Sequence, residues 1–187
     1  ISEELSLMRT VLSPSMANAV MRNQKAGNLS GRLFELAKVF IPKSLPLTEY
    51  PEERAHLAFA FFGKEESFFT LKGALDLAAE SLHVKFRYEA SSEPFTHPYQ
   101  TAAVYVGDVK VGYLGKLAYD IAGELNLRTD AYLAELDLDT IESLPHEPVC
   151  FTPLPKFPEL QRDLALVMDK AISCEQDVNL IQSCSPL

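Results

Sequence analysis

Gly31-Arg32-Leu33-Phe34-Glu35-Leu36-Ala37-Lys38-Val39-Phe40 (GRLFELAKVF) is the densest apolar run near the start of the chain. It opens on a glycine and stops at Pro42, which can neither donate to a ladder nor continue a helix. Periodicity alone leaves its state open. Arg32, Glu35 and Lys38 fall every third position, as on a helix, yet ten residues between breakers is short for a helix and long for a strand. As a strand it puts Phe34, Leu36 and Phe40 on one face and Leu33, Ala37 and Val39 on the other. A segment apolar on both faces belongs in the middle of a covered sheet.

Helices and strands alternate around this run. Ser13-Pro14 has the form of an N-cap followed by proline at the first helical position, and Leu12, Met16, Ala17, Val20 and Met21 share one face of a helix that Gly27 ends. Residues 43–54, with Pro46, Pro51 and several charges, read as an exposed loop before a strand over 55–62. Ser67 can cap a second helix, in which Phe68, Leu71, Leu75, Ala78 and Leu82 recur at spacings of three and four. A strand over 84–89 and a turn-rich segment over 91–98 follow. The runs 101–106 and 109–114 then flank Gly107-Asp108, which has the length and glycine of a hairpin turn. After a short helix over 118–125, Tyr132, Ala134, Leu136 and Leu138 alternate with Glu135 and Asp137, as in a half-buried strand. Five of the twelve prolines lie between Pro145 and Pro158, marking a connector and domain boundary. Beyond it, residues 162–168 read as a strand and Ser173 as the cap of a helix running toward Cys184.

The 187 residues suffice for one good core and a smaller appendage. A net charge of -9 leaves no basic footprint for nucleic acid. The longest apolar run, Leu57–Phe62, is far too short to span a membrane. Three cysteines without C-x-x-C spacing fit neither a disulfide framework nor a zinc site, and suggest a reducing, cytoplasmic setting. The chain begins at Ile1, so we read it as a piece of a longer one.

Signatures of catalysis are sparse. Gly107–Lys116 (GDVKVGYLGK) lacks the G-x-x-x-x-G-K-[ST] spacing of a phosphate loop and reads as a hairpin. His56, His83, His97 and His146 form no metal-binding pair. His97, before Pro98, is the one to watch, its plain reading being a turn residue bonded to nearby backbone.

Four ordered pieces resemble the beta subunit of bacterial phenylalanyl-tRNA synthetase: ISEELSLMRTVLSPS (residues 1–15), LFELAKVF (33–40), FFTLKG (68–73) and PKFPELQRDLALV (155–167). His97-Pro98 and the hairpin with Gly112 and Gly115 fall where that family places its H-P and I-G-x-L-G segments. The resemblance covers essentially the whole chain and decides Gly31–Phe40 as a strand, the first of motif 2 in a class II synthetase fold. It implies an α+β architecture: an antiparallel sheet flanked by helices over residues 1–147, then a connector and the beginning of a ferredoxin-like anticodon-binding domain over 148–187. Such a module pairs with the catalytic alpha subunit in an alpha2-beta2 tetramer and supports tRNA(Phe). It binds no cofactor of its own, ATP and magnesium being used by the whole enzyme.

No catalytic, cofactor-binding or metal-binding residue is assigned, because activation needs positive groups on the alpha-phosphate and pyrophosphate. Here Val39-Phe40 runs into Ile41-Pro42, where active cores place an arginine, and no G-x-G-x-x-R occurs before the proline connector. Lys156 and Arg162, at the family's K-F-P and R-D positions, are candidates for touching tRNA. Met16, Val20 and Met21 are candidates for the subunit interface, although the chain's own core explains their pattern equally well. Ala37-Lys38, Tyr99-Gln100-Thr101 and Lys116-Leu117-Ala118-Tyr119 depart from the family's Gly-Arg, Gly-Arg-Ser and Glu-Leu-His-Pro. The alternative is a free-standing synthetase-like binding module without catalysis.

Overall fold

The structure is a computed structural model that describes residues 7–151, 154, 158, 160–170 and 172–184. The chain forms two compact units, 1–149 and 150–187.

In the first unit the elements run α1 (Ser13–Lys25), β1 (Gly31–Ile41), β2 (Glu52–Phe62), α2 (Phe68–Ser81), β3 (Phe86–Ala90), β4 (Thr96–Val106), β5 (Val109–Leu117), α3 (Tyr119–Glu124), β6 (Ala131–Asp137) and α4 (Leu138–Ser143). The six strands make one antiparallel sheet in the order β1-β2-β6-β5-β4-β3. Side chains alternate across a strand, so each face builds its own core. On one face α2 and α4 bury Leu71, Leu75 and Ile141 against Phe61, Tyr132, Leu136 and Leu114. On the other, α1 buries Met16, Ala17 and Val20 against Val39, Ala58, Ala60 and Leu133. Alanines at 58 and 60 let the helix come close. Gly107, at φ +58°, makes the β4–β5 turn as expected.

Two strands sit elsewhere than their sequences suggest. Gly31–Ile41 is a strand, but it lies at the sheet edge, paired with β2 alone, and its even-numbered face is open: Phe34 is 73% exposed and Leu36 62%. Its apolar double face is thus not evidence of a central position, because α2 packs mainly over β5 and β6 and leaves Phe34 and Leu36 exposed. The central place belongs to β6, which we expected to be half-buried; both its faces are covered, and Glu135 is only 2% exposed. Strand β2 begins at Glu52, inside the expected loop, because its pairing follows β1 to the end, Glu52 opposite Ile41.

Capping also divides. Ser67 caps α2 in a reciprocal box, its hydroxyl accepting from Thr70 N–H while Thr70 Oγ1 accepts from Ser67 N–H. Ser13, by contrast, is not the N-cap of α1. The N-cap is Leu12, with no side-chain cap of its own, and the acceptor comes from β6.

In the second unit, α5 (Cys174–Cys184) begins as expected behind a Ser173–Gln176 box. Residues 162–168 form no strand, since a lone strand has nothing to pair with and no second strand occurs among the unit's described residues.

Candidate functional site

The buried polar centre of the first unit is the Glu135 carboxylate. Strand register lines up Glu35, Ala58, Glu135 and Tyr113 across β1, β2, β6 and β5 on the face that carries α1. Ala58 leaves room above it, and the start of α1 enters there. Glu135 Oε1 accepts the Leu12 N–H at 2.9 Å, and Oε2 accepts the Ser13 N–H at 3.0 Å, the Ser13 hydroxyl at 2.9 Å and the Tyr113 hydroxyl at 2.9 Å. Nδ1 of His56 lies 2.7 Å from Oε1, and the Ser13 and Tyr113 hydroxyl oxygens are in contact, so their two protons are shared among these oxygens and Oε2. The first amides of a helix lack intrahelical partners and carry partial positive charge, so a carboxylate satisfies both needs at once.

Electrostatics follow from this geometry. Burial alone pushes the Glu135 carboxyl up, but the bonds from His56, Leu12, Ser13 and Tyr113 outweigh it and hold the group below the usual carboxylate range. The Tyr113 phenol is pushed well above its ordinary value by burial and by the Glu135 charge. Asp137 is disfavoured by burial yet also held low, by Thr140, Arg54 and His56. Beside the cluster is a small cleft of about 180 Å³ lined by Val11, His56, Lys110, Gly112, Tyr113, Glu135 and Asp137. A carboxylate whose oxygens already accept this many bonds is a poor general base. It serves as a clamp joining α1, β2, β5 and β6.

The strand-to-helix junction that carries it is informative. Glu135-Leu136-Asp137-Leu138-Asp139-Thr140 runs from β6 into α4 and carries no glycine, lysine or arginine. Thr140 caps down onto Asp137 through its N–H and hydroxyl. The residue after β1 is Pro42, and Ile41 lies on the same face as Glu135. The end of β1 therefore holds uncharged side chains, and the junction carries three carboxylates, Glu135, Asp137 and Asp139. Sequence alone does not single out Glu135, because alternation with apolar neighbours assigns it to solvent and Ser13 has the form of the acceptor that α1 needs.

His97 lies on β4 rather than in a turn, at an irregular stretch of the β4–β5 ladder between Thr96 and Thr101. Its Nδ1 accepts the Tyr99 N–H at 3.2 Å, and its ring meets Tyr119 edge-on at 5.2 Å. Lys116 bonds Tyr119 Oη at 3.1 Å and Asp130 at 2.7 Å. Two segments that depart from the family pattern thus meet in space.

The remaining candidates separate. Met16 and Val20 are buried in the chain's own core, Val20 completely, so neither can contact a partner; Met21 is half-buried. The helix face that periodicity marks is covered by the sheet. Arg162 is exposed and bonds only the neighbouring Gln161 carbonyl among the described residues. Lys156 lies outside the described residues. No group of three potential metal ligands and no helix long and apolar enough to cross a membrane occurs among the described residues.

A sequence profile described as the phenylalanyl tRNA synthetase beta chain CLM domain matches residues 1–138. The chain belongs to that family. Relatives include the phenylalanine–tRNA ligase beta subunits of Clostridium tetani, 36% identical over 98% of this chain and 23% of its own length, and of Halalkalibacterium halodurans, 34% identical over 98% and 24%. The chain therefore spans about a quarter of the beta-subunit relatives it matches. Among solved structures, pyrrolysyl-tRNA synthetase from Desulfitobacterium hafniense shares the fold, with a TM-score of 0.54 at 16% identity over 71% of this chain and 48% of that one. The beta-chain unit thus has the α+β architecture of a class II-like synthetase, an antiparallel sheet flanked by helices.

Proposed function

We propose that this chain is the synthetase-fold module of a cytoplasmic phenylalanine–tRNA ligase beta subunit. It is silent in catalysis itself, assembles with the catalytic alpha subunit in an alpha2-beta2 enzyme, and supports tRNA(Phe) during ATP-dependent charging. The observation that carries this reading is Glu135. At the end of β6 the chain puts a buried carboxylate and spends it on holding α1, and no lysine or arginine occurs from there to Pro145, whereas active cores stabilise developing phosphate charge with an arginine. A triphosphate brought to the adjacent cleft would face Glu135 and Asp137 with Lys110 as the one lysine or arginine lining it. These residues do not fit ATP and its magnesium, and phenylalanine activation belongs to the other subunit.

The open face of β1 is the surface we assign to the alpha subunit. Phe34 and Leu36 stand exposed side by side with Leu57 and Phe59 of β2 opposite them, on a strand whose outer side has no neighbouring strand among the described residues. Contiguous exposed apolar surface favours a partner, as does the rest of a strand edge that Arg9 covers at Lys38 and Phe40. Co-purification of the parent beta chain tagged at one end, followed by a tRNA charging assay, tests the assembly. A stoichiometric second chain with phenylalanine-charging activity is the expected result, and a lone inactive chain would contradict it. The double substitution Phe34→Glu with Leu36→Lys is expected to cut retention of the second chain at least tenfold. Because both residues are exposed, the melting temperature should stay within a few degrees.

A further inference from the structure

A second cavity, of about 430 Å³, opens on the opposite face of the sheet, at the start of α2. Phe68, Phe69, Tyr99, Gln100, Thr101 and Tyr132 line it. Two of its rings are spent on solvent, Phe69 at 77% and Tyr99 at 90% exposure. Two of its polar groups are unused. Tyr132 is only 6% exposed as a residue, but its hydroxyl is open to the cavity and makes no hydrogen bond among the described residues, and neither does the Gln100 side-chain amide.

The ligand that satisfies these groups together is flat, presents a π-face to the aromatic rings, and carries neighbouring donors and acceptors on one edge. Nucleobases have this combination: rings stack on aromatic side chains whatever their sequence, and a glutamine amide pairs with a base edge through its donor and acceptor. Charge makes the same choice. The chain is net -9, and the nearby Lys116 is already committed to Asp130 and Tyr119, leaving little to hold a phosphate. Tyr99-Gln100 stands where the family commonly has Gly-Arg, so a ring and an amide replace a charge. We propose that this cavity takes a single unpaired nucleobase, stacked on Phe69 and Tyr99 and edge-bonded by Gln100 and Tyr132. As a contact to RNA, the proposal rests on the tRNA-supporting role above.

The test is the anisotropy of a labelled, unstructured eight-nucleotide RNA titrated with the chain, competed by unlabelled AMP and CMP. Saturable binding is expected that Tyr99→Ala weakens roughly tenfold or more, the scale of one lost stacking contact. Gln100→Ala should weaken it severalfold and alter the preference among bases. Neither substitution touches the core, and an unchanged melting temperature checks this. Raising salt from 50 to 200 mM should weaken binding less than about threefold, as for one phosphate contact or none. Competition by a free monophosphate at comparable affinity identifies a nucleotide as sufficient, and binding of the oligonucleotide alone identifies an RNA strand; both support the pocket. No saturable binding, binding indifferent to both substitutions, or a steep salt dependence would overturn it. Co-purification of the alpha subunit is read separately, so loss of the pocket with assembly intact refutes this inference alone.

Discussion

Glu135→Ala is expected to destabilise the first unit by about 3–5 kcal/mol, because it leaves buried donors without their shared acceptor. For a domain of this size that lowers the melting temperature by roughly 10 °C. The Leu12 and Ser13 amides lose their partner at once, and the Ser13 and Tyr113 hydroxyls are left with only each other. Glu135→Gln should lose less, since its oxygen still accepts while its NH₂ opposes donors on the other side. The pH dependence has a definite sign. Glu135 is held below its ordinary value of 4.5 in the folded state, so its contribution is fully present above that value and disappears as pH falls through the lower folded value. Asp137 acts in the same direction. Thermal melts of the wild type should therefore fall steeply on acidification, and those of Glu135→Gln less steeply. Equal acid slopes would show that the carboxylate does not carry the clamp.

The second large effect is at Gly112, where β5 passes β6. A Cβ there would run into the Glu135 carbonyl oxygen and come within 2.9 Å of Leu136 Cδ2 and 3.1 Å of Leu136 Cα. Backbone in the middle of a sheet cannot give way as a flexible side chain can. We expect Gly112→Ala to destabilise by about 3 kcal/mol, at the upper end of overpacking effects, and to displace Tyr113 from Glu135. Gly73, in the middle of α2 with nothing within 4 Å of its missing Cβ, provides the opposite case. Gly73→Ala should stabilise by about 0.5–1 kcal/mol through helix propensity. Chemical denaturation of the two variants side by side reads both signs.

Local chemistry was legible in the sequence, and placement within the sheet was not. Ser67 capping α2, the Gly107-Asp108 turn and the Ser173 helix start depend on residues within a few positions of one another, and each stands where its pattern puts it. Gly31–Ile41 was recognisable as a strand through its family likeness, but its edge position depends on which strands lie beside it and on how far α2 reaches. Glu135 shows the same limit more sharply. Alternation gives the parity of a side chain, not whether its face is covered, and the acceptor that α1 needs comes from more than a hundred residues away. Ser13-Pro14 looked self-capped because serine before proline usually is; here the hydroxyl turns to Tyr113 and Glu135 instead. Met16 and Val20 mark a buried face correctly, and only the structure shows that the chain's own sheet covers it.

The central proposal is that this synthetase fold is silent in catalysis, its buried Glu135 serving as an internal clamp on α1. Calorimetric titration of the purified chain with ATP and phenylalanine in the presence of magnesium tests it most directly. The account predicts no saturable heat for either ligand into the millimolar range. Micromolar binding of ATP, weakened by substitution of His56 or Lys110 at the cleft, would contradict it.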